Sequence, residues 1–350
     1  MSRVLFVLRW RESPYENGQY SWGDGQGKFL SSGLYNSARL VSEMLDHSGI
    51  PSKIVHVQDN SFIHREAVAF KATHVVIEAY WVVPSKFQEL LKALPGVQFI
   101  IRNHSEIPFL ASEGMSMDWS LDYTIYPNVI LSCNSLRANR EMRFLVGLEG
   151  LFPDRVVYLP NYYPMHLERH PRKTPDEFLD VGCFGAIRPL KNQLLQAVAS
   201  LKVADNLGKK LRFHVNAGRV EMAGQPVLKN LRQMFAHYAP KHILVEQKWR
   251  DHEEFRELVA QMDIVSQVSF SETFNIVSAD AVTQHVPAIT SKEVPWANER
   301  FMADPVDSLS MEFVMGRALQ HDWAASNLSL RGLEEYNRNS KEIWLSYLGV

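Results

Sequence analysis

Short apolar runs alternate with amphipathic stretches along the first half of the chain. Continuous apolar runs of this length are typical of strands that are buried on both faces. The predicted strands are Val4–Leu8, Ile54–Val57, Val75–Glu78, Phe99–Arg102, Val129–Ser132 and Val156–Leu159. Apolar residues at helical spacing predict helices at Gly33–His47, Ser85–Leu94 and Ser135–Val146. This order predicts parallel strands joined by crossover helices.

The same alternation restarts after Pro160 to Asp176, a segment without a period that contains four prolines. Such segments are typical of linkers between domains. The next predicted strands are Asp180–Phe184, Phe213–Val215, Ile243–Val245, Ile264–Val268 and Ala288–Thr290. The helices predicted between them are Gln193–Ala204, Val227–Ala236, His252–Met262 and Asn275–His285. A helical tail follows from Val306, and its last apolar stripe lies at Ser329–Leu348.

These elements predict an α/β protein of two doubly wound, Rossmann-like domains that face a central cleft, where ligands of such folds bind. The predicted division is 1–160, a linker at 161–176, a second domain at 177–305, and C-terminal helices at 306–350 that return to the first domain. The length agrees, because 350 residues exceed the roughly 250–300 at which a single core stops growing.

Composition narrows the class of protein. The chain has 37 Lys and Arg against 39 Asp and Glu, which disfavours an extended polyanion as partner but leaves room for a local anion site. Two cysteines, Cys133 and Cys183, cannot form a disulfide framework and are typical of a reducing compartment. Without a run of 18 apolar residues, no membrane span is predicted, and we expect a cytoplasmic protein.

The clearest chemical motif is the segment Gly185 to Asn192, GAIRPLKN, between a predicted strand and a predicted helix. Glycine allows a ligand to approach the backbone closely, and the following helix N-terminus favours an anion. Arg188 and Lys191 supply two cations suited to a diphosphate. Taken alone, the segment is equally compatible with a solvated turn that carries two surface cations.

A second motif, SETFNIVSADA from Ser271 to Ala281, follows the strand Ile264–Val268. Glu272 precedes the next helix and Asp280 is expected about two turns inside it, while the backbone amides of Asn275 and Ile276, at the helix N-terminus, are expected to face the same anion. Carboxylates can grip sugar hydroxyls. The alternatives are a capping acid for Glu272 and a surface helix residue for Asp280.

Together the two motifs resemble the GT-B glycosyltransferases, in particular the large retaining family that uses nucleotide sugars and carries a Glu-x7-Glu signature. The resemblance is strongest from Arg155 to Ile289, and it departs at Asp280, where the family has Glu, and at Asn275, where the family has Gly. It implies that Arg188 and Lys191 neutralise the donor diphosphate in the loop of Gly185. It also implies that Glu272 binds the transferred sugar and Asp280 the ribose.

The first half of the chain contributes weaker candidates. His104 follows the strand Phe99–Arg102, where the resemblance implies a cleft histidine that contacts the sugar. The alternative for His104 is a capping or core histidine. Glu106 is a second candidate for this part of the cleft. Gly33 begins the first predicted helix, and the resemblance implies that the start of this helix lies near the donor phosphate. In the second half, Trp249 either borders the nucleobase or is a partly buried anchor of its loop, and Arg219 is expected beside phosphate. The aromatic loop from Arg9 to Leu30 is interpreted as an acceptor loop or lid, with a flexible loop of no function as the alternative.

The function expected from this resemblance is transfer of a sugar from a nucleoside-diphosphate sugar to a hydroxyl acceptor, with retention, without a cofactor and without a metal, since no Asp-x-Asp motif is present. The acceptor stays open between a glycan, a small molecule and DNA with hydroxymethylated bases. A nucleotide-sugar epimerase and a non-catalytic sugar-nucleotide-binding protein are the alternative functions.

Overall fold

The computed structural model describes residues 2–9, 33–221 and 223–350. They form two compact units, each built on one parallel sheet. The described part of unit 1 comprises residues 2–9, 33–164 and 336–350, and that of unit 2 comprises 165–221 and 223–335. The domain limits expected at 160, 176 and 305 stay predictions, and the contact-defined units divide after Pro164 and after Glu335.

Unit 1 contains six parallel strands in the order β2-β1-β3-β4-β5-β6. The strands are β1 Val4–Arg9, β2 Ser52–Val57, β3 His74–Glu78, β4 Gln98–Asn103, β5 Val129–Cys133 and β6 Val156–Tyr158. The helices are α1 Gly33–His47, α2 Phe62–Phe70, α3 Phe87–Ala93, α4 Ile107–Leu110, α5 Ser116–Tyr123 and α6 Leu136–Leu148.

Unit 2 contains five parallel strands in the order β11-β10-β7-β8-β9. The strands are β7 Phe178–Gly182, β8 Lys210–Val215, β9 His242–Glu246, β10 Ile264–Gln267 and β11 Ala288–Thr290. The helices are α7 Gln193–Asn206, α8 Gly224–Tyr238, α9 His252–Ala260, α10 Ile276–Thr283 and α11 Ser308–Gln320. The last helix, α12 Asp322–Tyr347, begins in unit 2 and ends in unit 1.

Helices cover both faces of the sheet in unit 1, which explains the unbroken apolar run of β1. Leu5 and Val7 belong to one buried cluster, whereas Val4 and Phe6 belong to the cluster on the other face. The second cluster includes Trp344 of α12, which is fully buried and donates its indole N–H to the carbonyl of Pro160 at 2.8 Å. The C-terminal end of α12 is therefore part of the core of unit 1.

The predicted fold class and each predicted strand are confirmed. Three short helices, α2, α4 and α5, were not predicted; in α2, which has nine residues, only Ile63 and Ala67 are buried. The C-terminal helix begins seven residues earlier than the expected Ser329, at Asp322. Within the described ranges, no helix is both long enough and apolar enough to cross a membrane.

Candidate functional site

The turn after β7 holds Gly185 in a conformation that other residues rarely adopt. Its φ is +101°, in the region that favours glycine. A methyl group placed on Gly185 would lie 3.6 Å from Cε and 3.8 Å from Nζ of Lys191, so the lysine side chain lies over the bare backbone of the turn. The motif thus places a cation directly beside a glycine turn that has no side chain of its own.

Lys191 forms an ion pair with Glu272, a residue 81 positions later in the chain. The two meet because Lys191 follows β7, Glu272 follows β10, and these strands are neighbours in the sheet. Their side chains are only 12% and 9% exposed, so each charge depends largely on the other for compensation. The structure therefore brings together the predicted phosphate cation and the predicted sugar carboxylate.

Gln196 of α7 joins the two loops that carry this pair. Its amide donates to the carbonyl of Lys191 at 2.8 Å, and its oxygen accepts from the Ser266 hydroxyl at 2.6 Å and the Val268 amide at 2.8 Å. Asn192 adds a bond from its side chain to the carbonyl of Val268 at 3.1 Å. Since Gln196 is fully buried, its bonds fix the relative position of the two loops.

Arg188 lies in a second charged group formed with the loop after β8. Its guanidinium is 3.5 Å from the carboxylate of Glu221, which also binds Arg219 at 2.6 Å. The guanidinium of Arg219 lies 4.7 Å from the ring centroid of Trp249, a cation–π distance. Gly218 permits this approach, because a methyl group there would be 3.2 Å from the amide nitrogen of Trp249. The two arginines therefore share the carboxylate of Glu221.

Asn275 is the N-cap of α10 and has a φ of 65°. Its side-chain oxygen accepts from the amide of Ser278 at 2.8 Å, and its amide group donates to Gln267 at 3.0 Å. Asn is the residue after Gly that best tolerates this backbone region. The departure from the family pattern therefore preserves the turn that places Ile276 at the start of the helix.

Asp280 is fully buried, which is contrary to the alternative of a surface helix residue. It is the fifth residue of α10, so the expectation that it lies about two turns inside the helix is wrong. Its carboxylate accepts a hydrogen bond from His252 Nε2 at 2.7 Å. The sequence offered no signal for His252, because the contact joins α9 to α10 across 28 positions.

The candidates of unit 1 are distributed over several strand ends. His104 follows β4 and contacts Glu78, the last residue of β3, which the sequence analysis did not identify as a site residue. Glu106 accepts from the Ser135 hydroxyl at 2.5 Å and pairs with Arg137 at 3.2 Å. Gly33 is the exposed first residue of α1. The aromatic residues of the predicted acceptor loop lie outside the described residues.

Among the described residues, no group of three or more His, Cys, Asp and Glu side chains is arranged to hold a metal ion. Lys191 and Glu272 meet beside the turn of Gly185, whereas Arg188 of the same loop lies with Glu221 and Arg219. Cations of this kind can bind an anion, and a carboxylate can accept hydrogen bonds from hydroxyls.

Two doubly wound units, each on one parallel sheet, are typical of the GT-B class of fold. No protein-family model and no curated protein matches the chain.

Solved structures match it over nearly its full length. A UDP-forming alpha,alpha-trehalose-phosphate synthase from Burkholderia xenovorans is 11% identical, with a TM-score of 0.62 and 99% of each chain covered. A sucrose-phosphate synthase from Thermosynechococcus elongatus is 12% identical, with a TM-score of 0.65 over 99% of this chain and 96% of that one. An E. coli structure of "Trehalose-6-phosphate" bound with UDP-2-fluoro glucose is 13% identical, with a TM-score of 0.62 over 99% and 98%. At these identities the likeness confirms the predicted GT-B fold.

Proposed function

We propose that the chain is a glycosyltransferase that moves a sugar from a nucleoside-diphosphate sugar to a hydroxyl acceptor. The observation that carries this proposal is the convergence at Gly185, where Lys191 covers the open turn and is paired with Glu272. A diphosphate needs cations and backbone amides, and the adjoining sugar needs a hydroxyl-binding carboxylate. The loop supplies both kinds of group side by side.

The pairing of Lys191 with Glu272 gives each residue a role when the donor binds. The lysine exchanges its carboxylate partner for a phosphate oxygen, and the released carboxylate accepts hydrogen bonds from the sugar. Arg188 exchanges Glu221 for phosphate in the same way. Ligand groups thus replace the internal partners, so Lys191, Arg188 and Glu272 each keep a hydrogen-bond partner in a largely buried site.

The reaction places these cations where charge develops. The bond between the sugar C1 and the diphosphate oxygen breaks, and a bond forms between C1 and the acceptor oxygen. The hydroxyl proton leaves with the nucleoside diphosphate. Arg188 and Lys191 stabilise the negative charge that grows on the departing phosphate, which lowers the barrier more than it strengthens ground-state binding.

We propose uracil as the donor base, because a structural neighbour is a UDP-forming synthase and another is bound with UDP-2-fluoro glucose. The amides of Asn275 and Ile276 contribute to the phosphate site. Trp249, beside Arg219, borders the base. The ribose lies near the buried pair of Asp280 and His252. We assign His104 and Gly33 of unit 1 to the sugar and phosphate, as the family resemblance implies.

Retention of configuration is proposed on the spacing of Glu272 and Asp280, which resembles the Glu-x7-Glu signature. For the acceptor we propose the hydroxyl of a glycan or a small molecule. The near balance of 37 basic and 39 acidic residues disfavours DNA, whose binding would require a surplus of cations along the phosphate backbone.

The test begins with a thermal-shift screen of nucleoside diphosphates and their sugar conjugates, followed by measurement of nucleoside diphosphate release with and without acceptor alcohols. A ligand that binds only the folded state raises the melting temperature. We expect UDP and a UDP-sugar to do so, and we expect release to depend on an acceptor. Epimerised donor would establish the epimerase, binding without turnover would establish the non-catalytic protein, and the absence of any shift would refute the proposal.

A further inference from the structure

A fully buried ion pair lies between the central strands of unit 1. Glu78, the last residue of β3, is opposite Arg102 of β4, and the Arg102 guanidinium donates to Glu78 Oε1 at 3.0 Å. Both side chains are 0% exposed. A buried ion pair gains little over apolar residues of the same size, because removing two charges from water costs much of their attraction. The pair therefore calls for an explanation beyond stability.

Arg102 is held in place by elements other than its own strand. Its second terminal nitrogen donates to the side chain of Asn161 at 2.7 Å, and its guanidinium lies 5.5 Å from the ring centroid of Trp344. The segment after β6 and the end of α12 both hold Arg102 in place. The arginine therefore keeps a permanent positive charge beside Glu78. Burial raises the pKa of Glu78, but Arg102 and His104 outweigh this effect and lower it, so the carboxylate stays ionised.

The other oxygen of Glu78 contacts Nε2 of His104. Because an ionised carboxylate can only accept hydrogen bonds, Nε2 carries a proton. For His104, burial lowers the pKa and outweighs the opposite effect of Glu78. The imidazole is therefore neutral near pH 7. Its Nδ1 then has a lone pair, which faces the amide nitrogen of Asn134 at 3.4 Å. That distance is long for a hydrogen bond, so a ligand hydroxyl can take its place.

We propose that Glu78, fixed by Arg102, is a positioning residue that holds His104 as its Nε2–H tautomer and so presents Nδ1 as an acceptor for a ligand hydroxyl. The identification of that ligand as a sugar rests on the proposed function, whereas the tautomer does not. His104, whose side chain is 11% exposed, accepts a hydroxyl hydrogen bond and does not serve as a proton donor.

The variant Glu78→Gln separates this role from mere packing. A glutamine has a single acceptor oxygen, and Arg102, which can only donate, takes it. The amide nitrogen of the glutamine then faces Nε2 of His104 and forces the proton to Nδ1. Glu78→Asp keeps two acceptor oxygens and an ionised group, so it retains the native tautomer at a shorter reach. The glutamine and aspartate side chains are close in size, but the two variants are expected to hold His104 in opposite tautomers.

Long-range ¹H–¹⁵N correlation spectra of the full chain, labelled with ¹⁵N-histidine, report the tautomer directly. Among the 13 histidines, His104 is identified by the signals lost in His104→Ala. We expect Nε2–H in the wild type and in Glu78→Asp, and Nδ1–H in Glu78→Gln. Glu106→Gln is the matched control, because this buried carboxylate binds Ser135 and Arg137 and should leave the His104 signals unchanged.

An Nδ1–H tautomer in the wild type, or an unchanged tautomer in Glu78→Gln, would overturn the proposal. If Glu78→Gln does not fold, the wild-type and Glu78→Asp spectra still decide, since both must show Nε2–H. These spectra need no substrate. A chain that shows the expected tautomers but turns over no nucleotide sugar would therefore refute the proposed function alone.

Kinetics provide the second readout. We expect Glu78→Gln to lower kcat about tenfold to a hundredfold, as loss of a partner that orients a functional histidine commonly does. Glu78→Asp should recover most of that loss. In a His104→Ala background, Glu78→Gln should have no further effect, because a positioning residue acts only through the group that it positions. Equal losses in both backgrounds would show that Glu78 is merely structural.

Discussion

Replacing Lys191 with methionine removes one charge from the centre of the proposed donor site while keeping most of the side-chain volume. In the structure this lysine covers Gly185 and pairs with Glu272, and both charged side chains are about nine-tenths buried. The substitution should therefore affect two measurable quantities, the affinity for nucleoside diphosphate and the free energy of unfolding.

The magnitudes follow from the burial of the pair. A charge-assisted hydrogen bond contributes about 1.5–3 kcal/mol, so losing the contact with phosphate should weaken UDP binding about tenfold to a hundredfold. Removing one partner of a buried ion pair costs about 3–5 kcal/mol when the other charge is left behind, and the residual 9% exposure of Glu272 places the loss towards the lower end. The double variant Lys191→Met/Glu272→Gln should recover most of this stability but not the affinity.

Isothermal titration with UDP and urea unfolding measure the two effects. Lys210→Met is the matched control, because Lys210 also pairs with a carboxylate in unit 2, Glu177 at 3.0 Å, but lies at the start of β8 and is 43% exposed. We expect the control to bind UDP as the wild type does. Equal UDP affinity in Lys191→Met and the wild type would refute the assignment of this lysine to the diphosphate.

Three further results are expected. Glu272→Gln should abolish sugar transfer, because the carboxylate binds the sugar, but it should not lower UDP affinity, because Lys191 no longer has to leave a carboxylate to bind phosphate; titration and product analysis measure this, and equal loss of transfer and affinity would move Glu272 away from the sugar. Asn275→Ala should destabilise the fold by about 1–2 kcal/mol in urea unfolding, since it loses a cap in a strained backbone region, whereas Asn275→Gly should cost less than about 1 kcal/mol; equal costs would contradict the capping role. Despite burial, hydrogen bonds from His214, Arg212 and Lys173 hold the pKa of Asp180 far below its ordinary 3.8. The carboxylate therefore stabilises the folded state above about pH 4, and this stabilisation is lost progressively as the pH falls below that value. Asp180→Asn should lower the free energy of unfolding more at pH 7 than at pH 3, and an equal loss at both pH values would exclude this linkage.

The fold could be predicted because each buried strand corresponds to a continuous apolar run in the sequence. In β1, Leu5 and Val7 face one core and Val4 and Phe6 the other, so no polar residue interrupts the pattern. The helix α2 could not be predicted in the same way. Only Ile63 and Ala67 are fully buried in this nine-residue helix, while Phe62 and Phe70 pack against the same core from its two ends, so the apolar stripe is short.

The candidate site was predictable only in part, because its residues meet through strand order. The motifs around Lys191 and Glu272 could be identified one at a time, but their pairing depends on β7 and β10 being neighbours, which no local pattern contains. Glu78 illustrates the rest. A glutamate that ends a buried strand is a visible signal, yet its function becomes apparent only when β3 and β4 place it between Arg102 and His104.

A crystal structure of the chain with a UDP-sugar bound would test the proposed donor site most directly. We expect the diphosphate to lie over Gly185, within hydrogen-bond distance of Lys191 Nζ and the Arg188 guanidinium, with Glu272 released from Lys191 and bound to the sugar. A UDP-sugar bound elsewhere, or bound while the pair of Lys191 and Glu272 stays intact beside it, would contradict this assignment.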